Sequence, residues 1–130
     1  MPRESDEVFM KRYLERLSSL KVTAILFGST VRGERTAISD YDILIVKEDE
    51  CIDASPAKLE PRLNASVFEV LEGDLERLAY TNSVVVAALL EGTVILDNLE
   101  IQEKLENLRE KIVRCGARVT KDYVKFPSDS

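Results

Sequence analysis

The stretch VTAILFGSTVRGERTAISDYDILIV, from Val22 to Val46, constrains the fold more than any other part of the chain. Its opening run, Val22 to Phe27, is apolar and long enough for a buried strand, and it stops at Gly28, where the backbone turns without a Cβ penalty. A second apolar run, Ile43 to Val46, follows the acidic pair Asp40 and Asp42. Residues two apart on a strand share a face, so the two carboxylates stand side by side. At about 4 Å they repel by roughly 4 kcal/mol at an effective dielectric near ~20, and each raises the pKa of the other. A hard divalent cation such as magnesium relieves that repulsion and keeps further positions for substrate phosphates. Just upstream, Gly28 and Ser29 offer a tight turn, a hydroxyl and backbone N–H groups, the chemistry that receives phosphate oxygens. A phosphate cradle beside metal-binding carboxylates points to a nucleoside triphosphate.

Gly28-Ser29, ten intervening residues, then Asp40-Tyr41-Asp42 resembles the G-S-x10-D-x-D signature of the nucleotidyltransferase superfamily that includes DNA polymerase beta. The surroundings look most like its small prokaryotic members, the minimal nucleotidyltransferases, in which an Arg-Gly such as Arg32-Gly33 often follows the Gly-Ser. That superfamily usually carries a third carboxylate on a later strand, and the run ASVFEVL, Ala65 to Leu71, supplies Glu69. The third position is more often Asp, so Glu69 departs from the pattern by one methylene. Glu91-Gly92-Thr93-Val94-Ile95-Leu96-Asp97 is similar to the end of the minimal domain, and the likeness covers about residues 20 to 98.

The resemblance implies transfer of a nucleoside monophosphate from a triphosphate, ATP above others, to a hydroxyl acceptor, with pyrophosphate released. Asp40 and Asp42 are then expected to hold two magnesium ions, with Glu69 as third metal ligand and orienting group for the acceptor. Gly28, Ser29 and Arg32 are the expected phosphate-binding residues. The resemblance further implies a toxin–antitoxin role, in which such proteins pair with an all-helical ribonuclease and modify it. Plainer readings stand beside these: Ser29 as a helix cap, Arg32 as a surface charge, Glu69 as a solvent-facing strand residue.

A chain of 130 residues fits one domain, 1–130, able to bury about two thirds of its unfolded surface. No apolar run approaches a membrane span, and the N-terminal MPRESDEV lacks the apolar core of a secretory signal, so a cytoplasmic protein is expected. With no histidine, the common zinc sites and a histidine-based triad are excluded. Cys51 and Cys115 match no metal-binding spacing and are expected to be reduced. The net charge of −6, with no Lys/Arg cluster, disfavours nucleic acid as a partner.

Ser5 to Leu20 places Phe9, Met10, Tyr13, Leu14, Leu17 and Leu20 at helical spacing. A short helix is expected from Pro56, and Leu75 to Glu91 reads as one helix or as two broken near Thr81-Asn82-Ser83, although Val84 to Val86 would also suit a strand. Ile101, Leu105, Leu108, Ile112, Cys115 and Val119 form a seam on a C-terminal helix of about residues 99–125. That seam serves either the domain's own core or an interface with a second copy or a partner. The expected architecture is an α/β (α+β) domain with a short mixed sheet, helices on one face and the acid-bearing face open. The rival to the enzyme is a module that keeps the fold and binds nucleotide or partner without catalysis.

Overall fold

The computed structural model describes residues 4–28, 41–120 and 123–128. Four strands form one mixed sheet: β1 (Val22–Phe27), β2 (Tyr41–Lys47), β3 (Ala65–Leu71) and β4 (Thr93–Asp97), in the order β3-β2-β1-β4. β1 runs antiparallel to both its neighbours, and β2 and β3 are parallel. The parallel pair needs a crossover, which residues 48–64 supply with the short helix α2 (Pro56–Leu59).

Helices occupy both faces of the sheet, which corrects the expectation of one covered face. Alternation along the strands explains it. Val22, Ala24, Ile43 and Ile45 face α1 (Glu4–Leu17), where Tyr13 and Leu17 are fully buried. Ile25, Phe27, Leu44 and Val46 face the other way, toward α3 (Leu75–Leu78), α4 (Ser83–Glu91) and α5 (Gln102–Arg114). β1 and β2 are apolar at successive positions because both of their faces are buried, the pattern of a central strand.

The break near Asn82 is real, and it decides the state of Val84 to Val86. The Asn82 side chain accepts hydrogen bonds from the N–H groups of Val84 at 2.9 Å and Val85 at 3.1 Å, capping α4. Capping and burial of Val85 and Val86 outweigh the β-propensity of three consecutive valines.

The C-terminal helix is shorter than its apolar seam predicts. It ends at Arg114 because Gly116 adopts φ 93°, the Gly116 N–H bonds the Val113 carbonyl at 3.0 Å, and the Ala117 N–H bonds the Ile112 carbonyl at 2.9 Å. This double closure is the Schellman motif, which a glycine permits. Val119 then belongs to a two-stranded ribbon of β5 (Arg118–Val119) and β6 (Val124–Lys125). Ile101, Leu105, Leu108 and Ile112 are all buried in the domain's own core, so the seam is not an intermolecular surface.

Buried polar groups are paired in ways that tie elements together. The Asp97 carboxylate accepts from the Thr23 hydroxyl at 2.8 Å and from the N–H groups of Ile101 at 3.0 Å and Gln102 at 3.1 Å, joining β4, β1 and the start of α5. The adjacent Asn98 amide donates to the carbonyls of Leu17, Ser18 and Leu20, closing the end of α1. Glu60, fully buried, accepts from Arg16 at 2.9 Å and Arg62 at 2.8 Å, while the Arg62 guanidinium lies 4.6 Å from the Phe9 ring centroid.

Two predictions follow from this packing. Replacing Leu105 and Leu108 together with Glu unfolds the domain, because buried charges cost several kcal/mol against a stability of about 5–15 kcal/mol; a folded protein by circular dichroism would contradict this. Asp97→Ala destabilises by about 1–3 kcal/mol at neutral pH, through loss of the hydrogen bonds it accepts. Burial alone raises the Asp97 pKa, but the N–H groups of Ile101 and Gln102 and the Thr23 hydroxyl outweigh it, so the net shift is downward. The contribution is therefore present above the ordinary carboxylate range, near ~3.9, and lost as pH falls through the lower folded value. Melting curves of wild type and variant should converge in acid.

Candidate active site

The site is built where β1 stops. Phe27 is the last residue of that strand and pairs with Asp42 on β2, so the turn at Gly28 begins beside the Asp42 carboxylate. Gly28 has φ 83°, a conformation that side chains disfavour, and a Cβ placed there would lie 2.3 Å from Oδ2 of Asp42. The glycine is thus fixed twice, by its dihedral angle and by the acid that occupies its side-chain space. Asp42 is partly buried and shares its face with Phe27, Leu44 and Val46.

Ser29, Arg32 and Asp40 lie outside the described residues. Gly28 and Asp42 are brought together. Glu69 is not with them, and its assignment as third ligand is corrected. In the parallel register Asp42 pairs with Ser66, whereas Glu69 pairs with Ile45, three residues further on. Three residues is an odd step, which reverses the face and adds about 10 Å along the strand. Glu69 accordingly sits on the α1 side, where its Oε1 accepts from the Ala54 N–H at 3.1 Å and pairs with the Lys47 ammonium at 3.4 Å. Lys47 also donates to the Ile52 carbonyl at 2.9 Å, and the buried Tyr13 hydroxyl donates to the Ala54 carbonyl. Burial, then the negative charges of Glu69 and Asp53, push the Tyr13 hydroxyl well above its usual range. This cluster fastens the β2–β3 crossover to α1.

The alternation of β3 places Ser66 and Phe68 on the Asp42 face. Phe68 is 41% exposed and its ring lies 6.3 Å from that of Phe27. Neither residue carries a signal that singles it out in the sequence, since the face of β3 that joins Asp42 depends on register. A cavity of about 410 Å³ opens between the end of α4, the start of β4 and α5, lined by Ile25, Gly92, Thr93 and Arg109 among others. Gly28, Asp42 and Glu69 do not line it, so it is separate from the carboxylate site.

Among the described residues no three His, Cys, Asp or Glu side chains cluster as a metal site. The oxygen donors at the face, the Asp42 carboxylate and the Ser66 hydroxyl, suit a hard cation. The cysteines are both free, Cys51 exposed and Cys115 partly buried. No helix among the described residues is long and apolar enough to cross a membrane.

The family model described as the nucleotidyltransferase domain matches residues 10–127 of this chain. The chain belongs to this family. No curated protein matches the chain. Among solved structures, one of a toxin–antitoxin with AMP-PNP is 18% identical, with a TM-score of 0.50, covering 84% of this chain and 85% of that one. A candidate nucleotidyltransferase from Sulfolobus solfataricus is also 18% identical, with a TM-score of 0.47, covering 74% of this chain and 84% of that one. The matched span includes the whole four-stranded sheet and both Gly28 and Asp42.

Gly28→Ala should introduce both a strained dihedral and a clash with Asp42. The expected result is destabilisation of at least about 1 kcal/mol and loss of nucleotide-dependent stabilisation, read by thermal shift with ATP and magnesium. Glu69→Gln, by contrast, should leave that ligand shift intact, because its carboxylate serves the crossover. Loss of the shift in Glu69→Gln would return Glu69 to the site.

Proposed function

We propose that this nucleotidyltransferase-family chain transfers a nucleoside monophosphate from ATP to a hydroxyl acceptor on a partner protein. The observation that carries the reading is the close approach of the Gly28 turn to the Asp42 carboxylate, an arrangement that suits a phosphate beside a bound cation. Gly28 and Ser29 receive the terminal phosphates through backbone N–H groups and the serine hydroxyl, with Arg32 as a further phosphate contact. Asp42, with Asp40, would hold magnesium. Magnesium, when bound, neutralises phosphate charge and polarises the phosphoryl oxygens.

In the transfer itself the acceptor hydroxyl oxygen forms a bond to the α-phosphorus and the α–β phosphoanhydride bond breaks. Pyrophosphate leaves, and the acceptor proton passes to solvent or to a carboxylate of the site. The chain's residues act mainly by holding the triphosphate so that attacking and leaving oxygens are in line. The toxin–antitoxin solved with AMP-PNP supports a nucleotide ligand and a protein partner, in keeping with an antitoxin role. The acidic net charge of −6 supports a protein acceptor over nucleic acid.

One observation favours the non-catalytic rival. Glu69 points away from the site, so the acid expected to orient the acceptor is not on the Asp42 face. A chain that binds nucleotide without transferring it is the alternative.

Intact-mass analysis of a co-purified partner, after incubation with ATP and magnesium, separates the two readings. An added adenosine monophosphate supports transfer; an unmodified partner beside a nucleotide-stabilised chain supports binding alone. Asp42→Asn should erase the melting shift given by magnesium with ATP, which for the wild type amounts to about 2.7 kcal/mol at a hundredfold excess over the dissociation constant. An undiminished shift in that variant would remove Asp42 from the site.

A further inference from the structure

The parallel register that carries Glu69 away brings another side chain in. Ser66 is the β3 partner of Asp42, and paired residues of adjacent strands share a face at a spacing of about 4.8 Å. One step along, Phe68 stands beside Leu44 with its ring toward Phe27. The residues of β3 on this face are therefore Ser66, Phe68 and Val70: a hydroxyl, an aromatic ring and an aliphatic chain, with no carboxylate among them.

We propose that Ser66 is the β3 residue of the nucleotide site, and that with a hydroxyl at this position the chain holds one divalent cation per bound nucleotide. The inference rests on the nucleotide-site reading given above. A serine hydroxyl is a neutral oxygen donor. It completes a hydration shell or hydrogen-bonds a phosphate or acceptor oxygen, but it does not offset the charge of a second dication. Affinity at hard-cation sites follows the number of charged ligands. One cation is satisfied by Asp42 and the triphosphate; a second cation on the β3 side has no anionic anchor among the β3 residues of this face. Ser66 is thus a positioning residue that fixes metal stoichiometry, and Ser66→Asp supplies the missing charge beside Asp42.

The test uses manganese as the probe ion, counted by electron paramagnetic resonance after equilibrium dialysis with α,β-methylene ATP, whose methylene bridge blocks transfer. One manganese ion per nucleotide-occupied chain is expected for wild type and for Ser66→Ala. Ser66→Asp is expected to bind two, with the second tightened by roughly tenfold or more. Two ions on the wild type overturn the proposal whether or not Ser66→Asp folds, and a folded Ser66→Asp that gains no second ion overturns it as well. Asp42→Asn separates this failure from a deeper one: if it keeps both nucleotide and manganese, the nucleotide-site reading itself falls. Loss of both in Asp42→Asn, with no gain in Ser66→Asp, refutes only the role of Ser66.

Discussion

The antiparallel ladder between β1 and β2 is the constraint on which the remaining structure depends. It pairs every residue from Val22 with Lys47 through to Phe27 with Asp42, so the end of β1 and the acid of β2 are fixed to one another by backbone hydrogen bonds. Both strands are buried on both faces, and a one-residue slip would turn each apolar set into the wrong core. The register is therefore enforced by the whole sheet, while its functional consequence is confined to the last rung. Gly28 follows at once, and the absence of a side chain there leaves the space that the Asp42 carboxylate fills.

Around that ladder, the buried polar groups of the described residues join elements. Asp97 ties β1 to the start of α5, Asn98 closes α1, and Glu60 gathers two arginines under α1 and α2. Glu69 and Lys47 belong to the same class, since their contacts secure the β2–β3 crossover. A partner removed from any of these leaves a buried or half-buried polar group unsatisfied, which costs more than the bond itself contributes. These acids have structural partners.

Periodicity made much of the fold legible. Helical spacing of apolar positions marked α1 and the seam of α5, unbroken apolar runs marked β1 and β2, and Thr81-Asn82-Ser83 marked a candidate break before α4. The errors have physical causes. A seam continuing to Val119 could not reveal that Gly116 would close the helix, because a glycine near a helix end reads equally as a weak helix residue or a stop. The choice of Glu69 failed because it was made on residue type within an apolar run. Which residues of β3 stand beside Asp42 is set by inter-strand register, and the seventeen residues from 48 to 64 that set it carry no local code for that pairing.

The distribution of acids across the sheet bears on how such a site keeps its chemistry apart from its stability. The α1 face is filled by side chains that reach over the crossover, and there an acid such as Glu69 is soon paired. On the opposite face α3, α4 and α5 cover Ile25, Leu44 and Val46, but cover thins toward the end of the sheet, where Asp42 is only partly buried and Phe68 is 41% exposed. An acid at that end faces solvent on one side and low-dielectric core on the other, which strengthens its attraction for a cation relative to open water without the full cost of burial. Moving the same carboxylate two residues inward, to the position of Leu44, would bury it completely. The rung at which β1 ends is thus where a charge on this face is tolerated by the fold.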